Sequence, residues 1–386
     1  MVAGLPDGLS RQVRTVYWSA MTTSPRSQSP AIWDIIGYVA LVLIAIVAGF
    51  LYFQDTTPPK PAEPAPAAPR VSTPPESLFD RLSRQARAGD VVSQRQLGQL
   101  YLSGMEVRQD EAEALKWLRM AGDKGDMIAS RLLGAAYAGG RGVTADRAEA
   151  LSWWRLAANK GDDKSAFSLA LAYLNGNGVE KSQAEGLSYC RMAAERGDPR
   201  AQYYLGYWSY HGTLLPQSYQ EAFGWFRKSA VQGHPWSQNF IGVMYREGQS
   251  VDRSDAEALR WFQFAVNHGS GEGCLNLSRM YFLGIGVAKD ESKALGLLRK
   301  GAMLEDGFSQ AELGRRLAKG DGVPADPVEA GAWYDLSVRG GNTDAKPERD
   351  ALYRSLSAAQ VSAARARAAA LTTQIEAEIA ARRRAP

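Results

Sequence analysis

Slid against itself by 36 residues, the sequence returns the same skeleton seven times. Gly98, Gly134, Gly206, Gly242 and Gly314 fall in one column, with Ala170 and Ser278 at the two remaining positions. Trp117, Trp153, Tyr189, Trp225, Trp261, Leu297 and Trp333 fall in a second, and Tyr101, Tyr137, Tyr173, Tyr245 and Tyr281 in a third, where Ser209 and Leu317 are the exceptions. A fixed period of this size means stacked supersecondary units, and it outranks any local motif.

One unit, Asp126 to Gly161, shows why. Two apolar patterns of helical period flank a glycine-bearing turn. In the first, Ala129, Leu133, Ala136 and Tyr137 share one stripe. Gly134 beside Leu133 is costly inside a helix unless a second helix must approach there. The second helix is predicted to bury Ala150, Trp153, Trp154 and Ala157, and Gly161 suits a left-handed C-terminal cap. Asp126, Asp162, Asp198, Ser270, Asp306 and Asn342 are predicted to cap the N-termini of the helices that follow them, and Pro199 and Pro235 suit the first helical position. Such a unit cannot bury both faces alone, so neighbours must stack.

The columns resemble the Sel-1-like repeat, a relative of the tetratricopeptide repeat. The resemblance rests on Ala-Gln-x-x-Leu-Gly (Ala201 to Gly206), Gly-x-Gly-Val (Gly140 to Val143, Gly176 to Val179, Gly284 to Val287), Ala-x-x-Trp (Ala114 to Trp117, Ala222 to Trp225, Ala258 to Trp261) and Ala-Ala-x-x-Gly (Ala157 to Gly161, Ala193 to Gly197). It implies an all-α, right-handed α-solenoid of seven helix–turn–helix repeats over residues 90–342. It also implies that the first helix of each repeat lines the concave face.

The flanks differ in kind. Residues 1–30 are Ser-, Thr- and Pro-rich and are expected to be a disordered tail, with Met21 as an alternative start. Within residues 31–53, Ile35 to Phe53 holds 19 residues without a charge, enough to cross ~30 Å of hydrocarbon as a helix. Trp33 and Phe50, Tyr52 and Phe53 suit its two interfaces. A cleaved signal peptide is the competing reading; the long run and the want of a small-x-small cleavage site favour a retained anchor. Arg11, Arg14 and Arg26 before the span against Lys60 and Arg70 after it put the N-terminus in the cytoplasm and the repeats in a bacterial periplasm, a bias that shrinks if Met21 is the start. Residues 54–75 read as a Pro/Ala-rich linker, its stretch from Pro58 to Pro75 a polyproline spacer of at most ~55 Å. Residues 76–89 read as an N-terminal half-repeat cap, and residues 343–386 as a helical cap with a basic tail, its second helix opening with the capping box Ser357-x-x-Gln360.

The sequence offers little chemistry. Lys and Arg number 45 against 41 Asp and Glu, so no field draws nucleic acid. His211, His234 and His268 lie in no His-Glu-x-x-His pattern, and Cys190 and Cys274 lack zinc spacing and stand in distant repeats. Gly-x-Gly recurs in phase at four of the seven hairpin turns and follows no strand, which makes it structural rather than a phosphate loop. No metal, cofactor or catalytic residue is expected. The tryptophan column reads as core rather than as a sugar-stacking ladder.

The departures from the repeat are more informative. In repeat four Tyr203, Tyr207 and Tyr210 share a stripe beside the core face, with Tyr204, Trp208 and His211 on the adjacent one. The expectation is a partner-binding patch, set against the plainer alternative that repeat four simply packs on its neighbours with larger side chains. The function expected is a membrane-anchored interaction scaffold, its groove holding an extended segment of another protein. Similar bacterial members serve envelope assembly and exopolysaccharide export and regulation. A glycan- or peptidoglycan-binding module is the alternative.

Overall fold

The computed structural model describes residues 76–384, and every regular element among them is helical. A first helix, α1 (Leu78–Arg87), precedes seven antiparallel hairpins. They are α2 and α3 (Val91–Ser103, Glu111–Asp123), α4 and α5 (Met127–Gly139, Arg147–Asn159), α6 and α7 (Asp163–Asn175, Gln183–Glu195) and α8 and α9 (Pro199–His211, Tyr219–Ala230). The series continues with α10 and α11 (Pro235–Glu247, Asp255–Asn267), α12 and α13 (Gly271–Leu283, Glu291–Met303) and α14 and α15 (Gly307–Lys319, Pro327–Arg339). A 3₁₀ turn (Thr343–Ala345), α16 (Lys346–Ser355) and α17 (Ala358–Arg384) close the stack. The expected tail, span and linker lie outside the described residues. Among the described residues no helix is long and apolar enough to cross a membrane.

Each hairpin closes at its glycine column. A Cβ on Gly134 would lie 2.4 Å from the Trp154 ring, one on Gly206 2.7 Å from Phe226, and one on Gly242 2.6 Å from Phe262. The residue that meets the glycine lies twenty positions on, giving a column of Leu118, Trp154, Cys190, Phe226, Phe262, Leu298 and Tyr334. Rings occur in the facing column only opposite glycine: Ala170 and Ser278 stand across from Cys190 and Leu298, while Gly98 too faces a leucine, Leu118. Repeat three moves the close approach to its second helix, where Gly186 sits against Leu174. The in-chain copies thus trade volume across one contact, as a close-packed core requires.

This corrects the reading of the tryptophan column as core. Trp153 and Trp333 are buried, but Trp117, Trp225 and Trp261 are only half-buried. Trp154, expected to be buried, is half-buried as well. The column points along the hairpin's flank: Trp153 and Trp333 donate their indole N–H to Glu149 and Glu329 one turn back, at 3.0 and 3.1 Å. The next column along is buried in every repeat except the second, where Trp154 stands.

Repeats are joined by polar clamps. Gln94, Gln202, Gln238 and Gln310, all buried, each donate Nε2–H to the carbonyl eight residues earlier, near the end of the preceding second helix, at 2.9–3.1 Å. At the repeat ends, Lys124 and Lys160 donate to the carbonyls of Gly89 and Gly125, and Gln232 to that of Gly197. These carbonyls end a helix and would otherwise be orphaned. The Asp column caps as expected, with Asp126, Asp162 and Asp198 each accepting a backbone N–H from three residues on. Asn342 does not. Its side chain instead donates to Gly307 O and Ser337 Oγ, because the repeat period ends there and a 3₁₀ turn follows.

Both ends are sealed. Leu82 of α1 stands at the position of Leu118 and is buried, as an N-terminal half-repeat demands. At the other end Ala364, Ala368, Leu371 and Ile375 of α17 are buried, three of them in one cluster with Leu313, Trp333 and Leu336. The capping box forms, Ser357 Oγ accepting from Gln360 N–H. Cys190 and Cys274 are free and buried, and burial pushes the Cys190 thiol up to about 12.

Gly206→Ala should destabilise the fold by about 1–3 kcal/mol in urea melts through overpacking against Phe226. Gly224→Ala in the same repeat, where a Cβ meets nothing within 4 Å, should be neutral or slightly stabilising. Gln238→Ala removes one of two bonds to the Ala230 carbonyl, which keeps the Gly233 N–H, and should cost about 0.5–1.5 kcal/mol in the same melts.

Candidate partner-binding wall

The first helices of successive repeats touch one another, α10 against α12 and α12 against α14. Asn276 donates to Asn239 Oδ1 at 2.8 Å, and Asn239 donates in turn to Glu272 at 3.1 Å, so the contact runs directly from first helix to first helix. The free surface of these helices forms one continuous wall of the stack, the one that the resemblance puts on the inner, concave side.

Repeat four carries its aromatics onto this wall. Tyr203, Tyr204, Tyr207 and Tyr210 are half-buried and His211 is exposed. Their rings are held by the next repeat: Phe240 of α10 lies 6.1 Å from Tyr203, 6.0 Å from Tyr207 and 5.2 Å from Tyr210, and stacks on Phe226 at 4.7 Å. Tyr207 and His211 lie 4.4 Å apart, and Tyr210 donates its hydroxyl to Gln249 at 2.8 Å. Burial pushes the Tyr203 and Tyr210 phenols above their ordinary range, so both stay protonated donors at any physiological pH.

Trp208 does not share that surface. Only 8% exposed, it packs in a cluster with Phe167, Leu169 and Leu205 between repeats three and four. The repeat columns carry the signal: of the positions equivalent to Trp208, Leu100, Ala136, Ala172, Met244 and Met280 are buried, and Arg316 of the last repeat is half-buried. Tyr204 lies between the two groups, 5.7 Å from Phe167 and 5.6 Å from Trp208.

Sequence reasoning missed Trp236 and His234. Trp236 of α10 is 49% exposed and stands 5.7 Å from Tyr203, extending the aromatic wall into repeat five. His234 takes the place that aspartate holds in most other repeats and caps α10, Nδ1 accepting from the Ser237 N–H. Desolvation lowers it to about 4; Asp198 opposes the shift and Arg200 adds to it. A protonated imidazole cannot accept that bond, so the cap requires the neutral form. Among the described residues no group of three or more His, Cys, Asp or Glu side chains is placed to hold a metal ion.

A stack of seven helical hairpins with capped ends and an aromatic inner wall is a helical-repeat solenoid. The Sel1 repeat pattern matches residues 91–126, 128–162, 163–198, 199–234, 237–270, 271–306 and 307–342. The chain belongs to the Sel1 repeat family, whose solenoids generally mediate protein–protein interaction and are typically non-catalytic. Among solved structures it is similar to c5321, a protective antigen present in uropathogenic Escherichia coli strains displaying an SLR fold. The two are 32% identical with a TM-score of 0.62, over 76% of this chain and 64% of that one, so this chain matches less than two-thirds of the antigen's length. A Sel1 repeat protein from Oxalobacter formigenes is 30% identical with a TM-score of 0.56, over 71% of this chain and 79% of that one. No curated protein shows significant similarity to the sequence.

Because the folded state holds His234 neutral, stability is unaffected by this group above about pH 6.5 and is lost as pH falls from there toward about 4, where the unfolded imidazole takes up the proton first. His234→Asn keeps a capping side chain and should flatten that part of the stability–pH curve relative to the parent chain, as followed by thermal melts at half-unit pH steps.

Proposed function

We propose that the inner wall over repeats four and five docks an extended segment of a partner protein. The observation that carries this reading is the concentration of half-exposed aromatic rings there, Tyr203, Tyr204, Tyr207, Tyr210 and Trp236, with His211 at the edge. The rings are already fixed by Phe226 and Phe240, so binding would immobilise few new rotamers. Large, rigid aromatics of this kind dominate interface energetics. The packing of Tyr203, Tyr207 and Tyr210 on Phe240 supplies the plainer role as well, and the two are compatible, since these three rings stay half-exposed.

The same proposal places the solenoid on the outer side of a bacterial inner membrane, tethered by the uncharged run Ile35 to Phe53 and held off by the Pro-rich stretch that follows. An adaptor role in envelope assembly or polysaccharide export is what the resemblance to bacterial members adds to that placement.

A photo-crosslinking residue at Tyr207 should trap a protein in intact cells, and one at the exposed Val231 beyond the end of α9 should not. Equal trapping at both positions, or none at Tyr207, defeats the reading. Tyr207→Ala should reduce trapping from a crosslinker placed at His211 by at least about tenfold, the scale of one interface hot spot.

A further inference from the structure

The aromatic wall does not end at Trp236. Two positions after each N-cap, successive first helices present Lys164, Arg200, Trp236, Glu272 and Phe308, and the closing turn presents Asp344. The ladder is basic in repeats three and four and becomes aromatic and acidic from repeat five onward. Arg200 is already satisfied, paired with Asp198 at 2.7 Å and stacked over Phe167 at 4.6 Å.

Along the later part of this ladder lies a cavity of about 510 Å³. Trp236 and Phe308 stand at it as exposed rings, at 49% and 56%. Large apolar side chains left this open in line along one groove are a contact surface rather than scattered exceptions. Four carboxylates line the same space, Glu272, Glu305, Asp306 and Asp344, and none of the residues lining it is Lys or Arg. Asp306 is engaged in capping α14. Glu272 accepts only the Asn239 amide, and burial together with the neighbouring Asp306 raises its pKa; among the described residues it has no ion-pair partner. Arg279 lines the adjoining cavity across Phe308.

We infer that this cavity seats a cationic side chain, an Arg or Lys of an extended partner segment, between Trp236 and Phe308 and against Glu272 and Asp344. The chemistry commits the site to that occupant. A guanidinium or ammonium over an aromatic face gains cation–π attraction, and carboxylates beside it supply charge-assisted hydrogen bonds. An acidic or purely apolar segment would leave Glu272 half-buried and uncompensated. Because Tyr203 lies 5.7 Å from Trp236, the segment that crosses the tyrosine wall continues into this cavity. The inference rests on that docking reading and adds the partner's charge and its direction along the stack.

The test uses the full-length chain in neutral detergent and fluorescein-labelled peptides of six Arg-Gly or six Glu-Gly repeats, followed by anisotropy. The Arg-Gly peptide should bind and the Glu-Gly peptide should not. Glu272→Gln with Asp344→Asn, and separately Trp236→Ala with Phe308→Ala, should each weaken binding at least tenfold while far-UV helix content is retained. Asp123→Asn with Glu195→Gln removes the same charge from exposed second-helix positions and should leave binding unchanged. No binding by the parent chain, unaltered binding by both cavity pairs, or an equal loss in the control pair overturns the inference. Trapping at Tyr207 together with any of those results shows that the wall docks a partner of different charge. Cavity-dependent peptide binding without trapping at Tyr207 keeps the cationic site and removes the wall.

Discussion

The fold depends on how closely two helices of one repeat can approach. At Gly134, Gly206 and Gly242 a ring from the second helix lies where a Cβ would otherwise stand, at 2.4–2.7 Å. Glycine inside a helix costs about 1 kcal/mol against alanine, so the chain accepts that loss repeatedly in order to seat Trp154, Phe226 and Phe262. The return is interior packing without a gap, since a ring with no partner on one side forfeits its dispersion contacts. The compensation at Ala170 and Cys190 shows that the contact is conserved as a volume, not as a residue type.

Packing sets the hairpin, and polar clamps set the stacking angle. The buried glutamines each satisfy a carbonyl at the end of the previous second helix, and Lys124 and Lys160 do the same at the repeat ends. Such bonds are directional where apolar contact is not. They hold successive first helices at a separation that allows Asn239, Glu272 and Asn276 to bridge them. A rigid inner wall is the consequence, and rigidity is what a binding groove needs if ordering it is not to consume the binding energy. The repeats need not be chemically uniform along that wall, and they are not: the inner surface passes from Arg95 and Arg131, paired with Asp126 and Asp162, through the tyrosines to Glu272 and Asp344.

Much of this was legible because seven copies in one chain act as their own alignment. Period, hairpin, the positive-φ glycine that ends the second helix at Gly161, and the proline starts at Pro199 and Pro235 all follow from local chemistry repeated in phase. The tyrosine stripe was legible too, as a local break in the pattern. The buried partner of the glycine column was harder to see. Trp117, Trp225 and Trp261 are larger and more regular than their neighbours Leu118, Phe226 and Phe262, and size drew attention from the buried column to the flanking one. The trade of volume between positions twenty apart was present in the sequence and would have identified it.

The sequence by itself determined the repeat, its two helices, its caps and the presence of an aromatic departure in repeat four, because each of these is written in residues less than one period apart. Only the tertiary structure decided which side each aromatic faces. Trp208 and Tyr207 are adjacent in sequence, yet one is enclosed between repeats and the other opens on the wall. It also brought Trp236, Glu272, Phe308 and Asp344, each 36 residues from the next, to one cavity. Contacts between repeats depend on the rotation from one hairpin to the next, and that angle is set by the sum of packing and clamps across the joint, which no single stretch of chain encodes.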